Sequence, residues 1–399
     1  MKPKHIAIFT YMAAGHVYTS LDVCSELIRR GHRVTFPACN PFAGKIRDSG
    51  VEAIELKLPA FNSPTTLLQY ESGDDSCFWR QFGSIVCPWY LVNAFSIVEQ
   101  LEEFYSTNPP DLILYEGFNF AGRIFAEHLQ CPAIQISTHF AHHNSMVRLD
   151  GACTTPQPVL EFSPVIDNFM SMFGIKEKGQ IWHVEPMNIF LIPREFQYDV
   201  DSFDNRFKFV GVTFSSRFNP KSCNNRINNG KPILLISEGS TSTDDKFLRL
   251  CIDAFAESRY HIVFLGGVYS AKASSVALPR NFEVNRDMPN REILPFADVV
   301  VCQAGMGTTL ECLYHGVPVV AVPPNPFNSE VAFRITELGL GLHIPGPGVT
   351  PFALKNAVDT ASMDGALRRR VRRMRDNLKN DRGADLAANV IEDYLSDRE

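Results

Sequence analysis

Short apolar runs alternate with amphipathic segments in the first half of the chain, a pattern typical of β-α-β units. Residues 5–10 (HIAIFT) predict a short buried strand, and residues 20–32 predict a helix with apolar positions three and four apart. Residues 34–38 (VTFPA) predict the next strand, so we expect a right-handed crossover and a parallel sheet. The alternation recurs further on, where strands at 111–116 and 132–137 flank a helical segment.

A polar stretch separates this pattern from a second one. Residues 214–230 are rich in Asn and Ser and lack an apolar period, which predicts a linker. A strand restarts the pattern at 232–240, and helices and strands alternate from there to residue 323. The sequence therefore predicts an α/β protein with two Rossmann-like, doubly wound domains that face each other across a cleft.

The length of 399 residues also favours two hydrophobic cores. We predict an N-terminal domain over 1–213, a linker over 214–230, a C-terminal domain over 231–375, and a helical tail over 376–399 that packs back on the N-terminal domain. Ligands bind at the carboxyl ends of such sheets, which meet in the cleft. Periplasmic binding proteins, synthases and transferases share this arrangement, so the fold alone leaves the function open.

Composition excludes several classes of function. The net charge of −6 and the absence of a basic stripe argue against a nucleic-acid partner. No window approaches the ~20 apolar residues of a membrane span. The ten cysteines have irregular spacing without a CxxC pair, so they predict buried thiols in a cytoplasmic protein and no metal site.

A small-residue loop, YMAAGHVYTS, follows the first predicted strand and contains His16. Small residues let a ligand approach the backbone, and an imidazole can accept a hydroxyl proton near neutral pH. Glu116 ends a neighbouring predicted strand, where its carboxylate could hold the imidazole in the correct tautomer. From these segments alone, a helix-capping or packed histidine is as well supported as a catalytic one, and an exposed strand-end glutamate is the preferred interpretation of Glu116.

A second loop, QAGMGTTLE, joins a strand to a helix in the predicted C-terminal domain. Backbone N–H groups around Gly305 and Gly307 could converge on a diphosphate, and the helix dipole would favour the negative charge. Thr308 and Thr309 could add hydroxyl groups or cap the helix, and Glu311 could accept hydrogen bonds from a ribose. Such turns also occur in purely structural roles, so the loop indicates a nucleotide without specifying one.

Taken together, these segments resemble the macrolide-type and YjiC-like glycosyltransferases of the UDP-glycosyltransferase superfamily, which have the GT-B fold. The likeness spans nearly the whole chain. It is carried by the segments AAGHVYTSLDVCSELIRRGHRVTF, PDLILYEGFNFAGRIFAEHL, NRFKFVGVTF, ISEGS, AGMGTTLECLYHGVPVVAVP and RITELGLG.

The resemblance implies roles for individual residues. His16 would deprotonate an acceptor hydroxyl with support from Glu116, and the sugar would be transferred with inversion and without a metal ion. The donor would be a UDP- or dTDP-linked sugar, and no further cofactor is expected. Its diphosphate would bind at Gly307, Thr308 and the turn around them, with Ser240 as a further contact, and its ribose would bind at Glu311.

Five positions depart from the family pattern. Glu116 stands where the family usually has Asp, and Gln303 replaces a histidine that resembles a pyrophosphate ligand. Phe327 and Asn328 occupy positions that commonly hold an acidic residue and Gln to bind sugar hydroxyls; an aromatic ring suits the apolar face of a deoxysugar instead. Glu238, in place of an apolar residue, would bring negative charge towards the diphosphate unless it points away.

The leading hypothesis is inverting glycosyl transfer, including transfer of a deoxysugar, to a hydroxyl of an apolar natural product by a monomer or homodimer. The alternative is a glycosyltransferase-like protein with an altered donor site that catalyses another acid–base reaction on a metabolite or serves as a non-catalytic partner. Under the first hypothesis, the acceptor region of the N-terminal domain includes the aromatic residues Phe61, Phe78, Trp79, Phe82, Trp89, Tyr90 and Phe140.

Overall fold

A computed structural model describes most of the chain. The described residues are 2–58, 81–142, 147–149, 152–154, 157–175, 183–213, 230–238, 246–266, 277–285 and 290–398. Ser240, Phe61, Phe78, Trp79 and linker residues 214–229 lie outside these ranges.

The first half of the chain forms a doubly wound parallel sheet with helices on both faces. The strands of this sheet are β1 (His5–Phe9), β2 (Arg33–Ala38), β3 (Glu52–Glu55), β4 (Leu112–Tyr115), β5 (Ala133–Ser137), β8 (Asn188–Phe190) and β9 (Phe207–Phe209). Two further strands, β6 (Val147–Leu149) and β7 (Ala152–Thr154), form a separate antiparallel hairpin. The helices of this half are α1 (Ala14–Arg29), α2 (Phe42–Asp48), α3 (Cys87–Thr107), α4 (Phe120–His128) and α5 (Gln157–Met172).

Within the described ranges this sheet has seven parallel strands in the order β3-β2-β1-β4-β5-β8-β9. The central strands β1 and β4 are apolar throughout or nearly so and are almost completely buried, as expected for strands that are covered on both faces. The strand order reverses between β1 and β4, and ligands of doubly wound sheets bind at such a point. The segments that follow these two strands carry His16 and Glu116.

The second half repeats this architecture. Its strands are β10 (Ile233–Ser237), β11 (His261–Leu265), β12 (Phe282–Asn285), β13 (Val299–Cys302), β14 (Val319–Ala321) and β15 (Gly341–His343). Its helices, with the last one crossing to the other domain, are α6 (Lys246–Phe255), α7 (Asn290–Ile293), α8 (Met306–His315), α9 (Pro326–Glu337), α10 (Pro351–Met363), α11 (Gly365–Asn380) and α12 (Gly383–Ser396). In the described residues the strand order is β12-β11-β10-β13-β14-β15, with all pairs parallel. The predicted α/β class with two Rossmann-like domains is confirmed.

The chain returns to the N-terminal domain at its end. Helix α11 continues on the C-terminal domain through Asn380, so the crossing lies a few residues beyond the predicted boundary at 375. Helix α12 then packs on α1, where the half-buried Arg30 guanidinium contacts Glu392 at 2.5 Å and Asp385 at 2.7 Å. At the crossing itself, the Asp381 carboxylate accepts a hydrogen bond from the backbone N–H of Val212 at 3.3 Å.

A shared apolar core joins the two domains at the base of the cleft. Phe140, Phe196 and Tyr198 of the N-terminal half belong to the same buried cluster as residues of β10, β13 and α8. Arg334 on α9 donates to the backbone carbonyls of Phe196 and Gln197, and its guanidinium lies 4.8 Å from the Tyr198 ring centroid. The relative placement of the domains is therefore held by apolar packing together with a partly buried cation.

None of the helices in the described part of the chain has the length and apolar character needed to cross a bilayer. The same residues contain no group of three or more His, Cys, Asp and Glu side chains arranged to hold a metal ion. All cysteines whose side chains are described are free thiols, and most of them are buried.

Candidate active site

His16 and Glu116 form an imidazole–carboxylate pair at the reversal point of the N-terminal sheet. The Nδ1 atom of His16 lies 2.7 Å from Oε1 of Glu116, and the other carboxylate oxygen accepts the backbone N–H of Tyr11 at 2.6 Å. The Glu116 side chain is 7% exposed and that of His16 is 20% exposed, so the carboxylate is enclosed while the ring reaches the cleft. An ionised carboxylate can only accept, so the Nδ1 of His16 is the donor and its Nε2 is left with a free lone pair.

The local chain explains how the pair forms. Helix α1 begins at Ala14 instead of near residue 20, which places His16 in the first helical turn and not in a loop. The backbone N–H of Glu116 bonds to the carbonyl of Phe9, which fixes the end of β4 beside the end of β1. The glutamate found in place of the family's aspartate therefore still reaches the imidazole.

Two residues that follow β5 extend this pair. The Thr138 hydroxyl oxygen lies 3.3 Å from His16 Nδ1 and 3.2 Å from Nδ1 of His139. The rings of His16 and His139 have centroids 5.0 Å apart, and His139 is exposed. Sequence reasoning missed both residues, although they stand directly after a predicted strand next to the one that ends at Glu116. Their position after that strand was the available signal.

The N-terminus of α8 lies on the opposite side of the cleft. Gly305 is its N-cap residue and provides no side-chain cap, and the first bond of the helix is donated by Thr309 to the Gly305 carbonyl. The N–H groups of Met306, Gly307 and Thr308 thus have no intrahelical acceptor. Among the described residues, a Cβ atom added to Gly305 would have no neighbour within 4 Å, so these residues leave open space for a ligand at the turn.

The first turns of α1 and α8 lie close together. A Cβ atom built on Gly307 would lie 3.8 Å from Cα of Gly15, the residue before His16. Ala13, the N-cap of α1, also provides no side-chain hydrogen bond to its helix. Two helix N-termini whose own N-cap residues lack a side-chain acceptor therefore lie close together, and their partial positive charge would stabilise an anion such as a diphosphate beside them.

The two threonines of the α8 loop occupy different environments. Thr308 is partly exposed, and its hydroxyl accepts a hydrogen bond from Asn290, which in turn accepts one from Ser237. Thr309 is fully buried, so the structure does not bring it to the cleft surface. Glu311 lies one turn further along α8 and is partly exposed.

The residues that depart from the family pattern lie around this helix end. Gln303 is partly exposed, and its backbone carbonyl accepts a bond from the Asn328 side chain at 2.7 Å. Asn328 therefore ties the start of α9 to the glycine turn. The Phe327 ring points to the other domain and packs against Phe82, with centroids 5.4 Å apart.

Glu238 follows β10 and is buried, with 1% of its surface exposed. Together with Gln303 and Lys246 it lines a cavity of about 310 Å³ in the C-terminal domain, whose other walls are mainly apolar. Burial thus keeps its carboxylate off the cleft surface, although it stays next to the residue where the family pattern expects a pyrophosphate ligand.

Only some of the described residues in the predicted acceptor region line a common cavity. Trp89 and Tyr90 line a cavity of about 40 Å³ beside Tyr11, whose ring lies edge-on to His16 with centroids 5.2 Å apart. Phe82 is buried against Phe327, and Phe140 belongs to the shared core instead of the cavity. The remaining walls of the cavity are Thr10, Met12, Leu58, Asn93, Ala94, Ile97, Phe118, Asn119 and Phe120.

Solved structures of similar fold identify the enzyme class. The calicheamicin glycosyltransferase CalG4 is 29% identical, covers 99% of this chain and of its own, and superposes with a TM-score of 0.79. The glycosyltransferase of kitacinnamycin is 25% identical, covers 98% of this chain and 99% of its own, and also has a TM-score of 0.79. This protein is a glycosyltransferase with the GT-B fold.

Sequence comparisons narrow the class further. NDP-glycosyltransferase YjiC of Bacillus subtilis (strain 168) is 30% identical over 99% of this chain and 98% of its own length. Demethyllactenocin mycarosyltransferase of Streptomyces fradiae is 27% identical over 98% of this chain and 87% of its own. Residues 262–392 match the erythromycin biosynthesis protein CIII-like C-terminal domain. The chain belongs to the YjiC-like family of NDP-glycosyltransferases, the natural-product type of the GT-B class.

Proposed function

We propose that this glycosyltransferase moves a sugar from a nucleotide diphosphate to a hydroxyl of an apolar natural product, with inversion and with His16 as the base. The observation that carries the proposal is the His16–Glu116 contact of 2.7 Å at a cleft whose opposite wall is the uncapped N-terminus of α8. A base and an anion-stabilising helix end are the two groups that this displacement requires.

In the proposed reaction, the Nε2 atom of His16 takes the proton of the acceptor hydroxyl as its oxygen attacks the anomeric carbon. The attack comes from the face opposite the diphosphate, so the new C–O bond forms as the bond to the leaving group breaks. Glu116 stabilises the resulting imidazolium through the Nδ1–H contact. The negative charge that develops on the diphosphate is stabilised by the N–H groups at the start of α8.

For the donor, we propose a UDP- or dTDP-linked sugar whose diphosphate lies at Gly305, Gly307 and Thr308. Glu311 would bind the ribose, and Ser240, outside the described residues, remains a predicted phosphate contact. The contact of the neutral Gln303 with the diphosphate would be weaker than that of a charged histidine. The loss of this charge-assisted hydrogen bond would cost roughly 1.5–3 kcal/mol of binding free energy.

The sugar itself is proposed to be a deoxysugar. Phe327 offers no group that can bond to sugar hydroxyls, and Asn328 already donates to the Gln303 carbonyl. An apolar sugar face would meet this part of the cleft at a lower desolvation cost than a fully hydroxylated one. We further propose that the enzyme acts in the cytoplasm as a monomer or homodimer.

Donor binding and catalysis can be tested separately. UDP and dTDP should raise the melting temperature of the wild type, because a ligand that binds only the folded state stabilises it. Pooled sugar nucleotides and phenolic or polyketide aglycones, with products detected by mass spectrometry, should give a glycoside. His16→Ala should abolish that product and keep the nucleotide shift, whereas His128→Ala, which removes an exposed imidazole from the end of α4, should change neither.

Two outcomes would contradict the proposal. Full turnover in His16→Ala would remove this residue from the mechanism. Absence of a melting shift with either nucleotide would favour the alternative of a glycosyltransferase-like protein with a repurposed donor site, which the replacements at Gln303 and Phe327 motivate.

A further inference from the structure

His139 lies beside the proposed base and faces the cleft. It follows β5, the strand next to β4, and its ring is tilted by 31° from the His16 ring with centroids 5.0 Å apart. The residue is exposed, and its Nε2 atom makes no hydrogen bond with the part of the chain that the structure describes. A polar ring atom next to the reacting centre is thus available to a ligand.

The hydrogen-bond network determines which nitrogen of His139 carries the proton. His16 Nδ1–H donates to Glu116 at 2.7 Å. The Thr138 oxygen lies 3.3 Å from the same nitrogen and can only accept a second, weaker hydrogen bond from it. The Thr138 hydroxyl proton is therefore free to donate to Nδ1 of His139 at 3.2 Å. With Nδ1 accepting, a neutral His139 carries its proton on Nε2 and presents a donor to the cleft.

The surroundings of His139 keep the ring neutral. Desolvation inside the cleft lowers its pKa, and the neighbouring His16 and His142 lower the pKa further. Across the domain boundary, His142 Nε2 lies 3.5 Å from the buried Glu330 carboxylate on α9, so this negative charge is directed at His142.

We propose that His139 determines acceptor specificity by donating a hydrogen bond from Nε2 to a second oxygen of the acceptor, next to the hydroxyl that His16 deprotonates. The two imidazoles form a complementary pair, since His16 Nε2 accepts and His139 Nε2–H donates. An acceptor with adjacent oxygens, such as a catechol or a hydroxyl next to a carbonyl, engages both rings, whereas an isolated hydroxyl engages only His16. This inference rests on the proposed function and names the acceptor class for it.

The test uses the binding of two matched probes, 2,3-dihydroxynaphthalene and 2-naphthol, measured by isothermal titration calorimetry without a sugar donor. The wild type should bind the diol about fivefold more tightly, which is the usual worth of one neutral hydrogen bond. In His139→Leu the preference should fall to about twofold, the statistical factor from the two equivalent hydroxyls of the diol, with the affinity for 2-naphthol unchanged. His139→Gln, which keeps an N–H donor, should restore part of the preference.

A His139→Leu variant that keeps the wild-type preference, or that weakens both probes equally, overturns the proposal. Equal binding of the two probes by the wild type does so as well. This readout is independent of glycosyl transfer: His16→Ala can lose product formation, or retain it, without changing the preference due to His139. A failure of the proposed function and a failure of this inference are therefore distinguishable.

Discussion

Replacing Glu116 with glutamine is expected to disable His16 while preserving the shape of the site. Two donors converge on the carboxylate, the His16 Nδ1–H at 2.7 Å and the Tyr11 backbone N–H at 2.6 Å. A glutamine amide has one acceptor oxygen, so its NH2 group must face one of these two donors. Because the side chain is only 7% exposed, water cannot readily replace the lost contact.

The magnitude follows from the bonds that are lost. A hydrogen bond to a charged group contributes about 1.5–3 kcal/mol. If this bond stabilises the transition state, its loss lowers the rate by about 10- to 150-fold. If the amide NH2 faces His16, the imidazole proton moves to Nε2, and the nitrogen that should accept the hydroxyl proton is blocked. This change of tautomer adds to the loss, so we expect kcat/KM to fall by at least ~10²-fold.

The assay is kcat/KM with the donor and acceptor pair that gives the highest turnover, measured for the wild type, Glu116→Gln and Glu116→Asp. The aspartate variant keeps the charge and should recover part of the activity, and the melting shift with nucleotide should be unchanged in both variants. Combining Glu116→Gln with His16→Ala should be no worse than His16→Ala alone, since the carboxylate acts through the imidazole. Nearly wild-type kcat/KM in Glu116→Gln, or additive losses in the double variant, would refute the reasoning.

Two further predictions concern the donor side and the domain crossing. Thr308→Val should weaken UDP or dTDP binding, measured by calorimetry, whereas Thr309→Val should leave the affinity unchanged because Thr309 is fully buried; equal losses in both variants would contradict this assignment. Desolvation raises the pKa of the Asp381 carboxyl from 3.8 to about 6; the hydrogen bond from the Val212 N–H opposes this rise, and the charge of Glu195 adds to it. Between these two pH values the folded state therefore binds more protons than the unfolded state. Stability against urea should therefore fall as the pH rises through this window and then level off, and Asp381→Asn should remove the decline, whereas an unchanged pH profile would exclude Asp381 as its source.

Local patterns in the sequence were sufficient for the architecture. Runs such as those of β1 and β10 are apolar at nearly every position, and only strands covered on both faces need such a composition. Alternation with amphipathic helices then implies parallel pairing and a doubly wound topology. The candidate pair was accessible in the same way, since His16 and Glu116 follow neighbouring strands and the carboxyl ends of parallel strands meet at one edge.

Element boundaries were less accessible. The first turn of α1 contains AAGH, which has no apolar period, so the sequence placed the helix start near residue 20 instead of at Ala14. The same difficulty applies to the end of the C-terminal domain, where α11 runs past residue 375 because its buried face continues through Leu378. Helix ends depend on caps and tertiary packing, which a hydrophobic pattern does not encode.

Fold class, family and the residues at the carboxyl edges of the sheets could be predicted from the sequence, because each depends on periodicity or motifs within short segments. Which of these side chains meet became clear from the packing of the folded chain. It placed His139 beside His16, set Phe327 against Phe82 of the other domain, and turned Thr309 inward while its neighbour Thr308 stayed partly exposed. Contacts between residues more than a hundred positions apart arise from the packing of whole elements, and no local pattern specifies that packing.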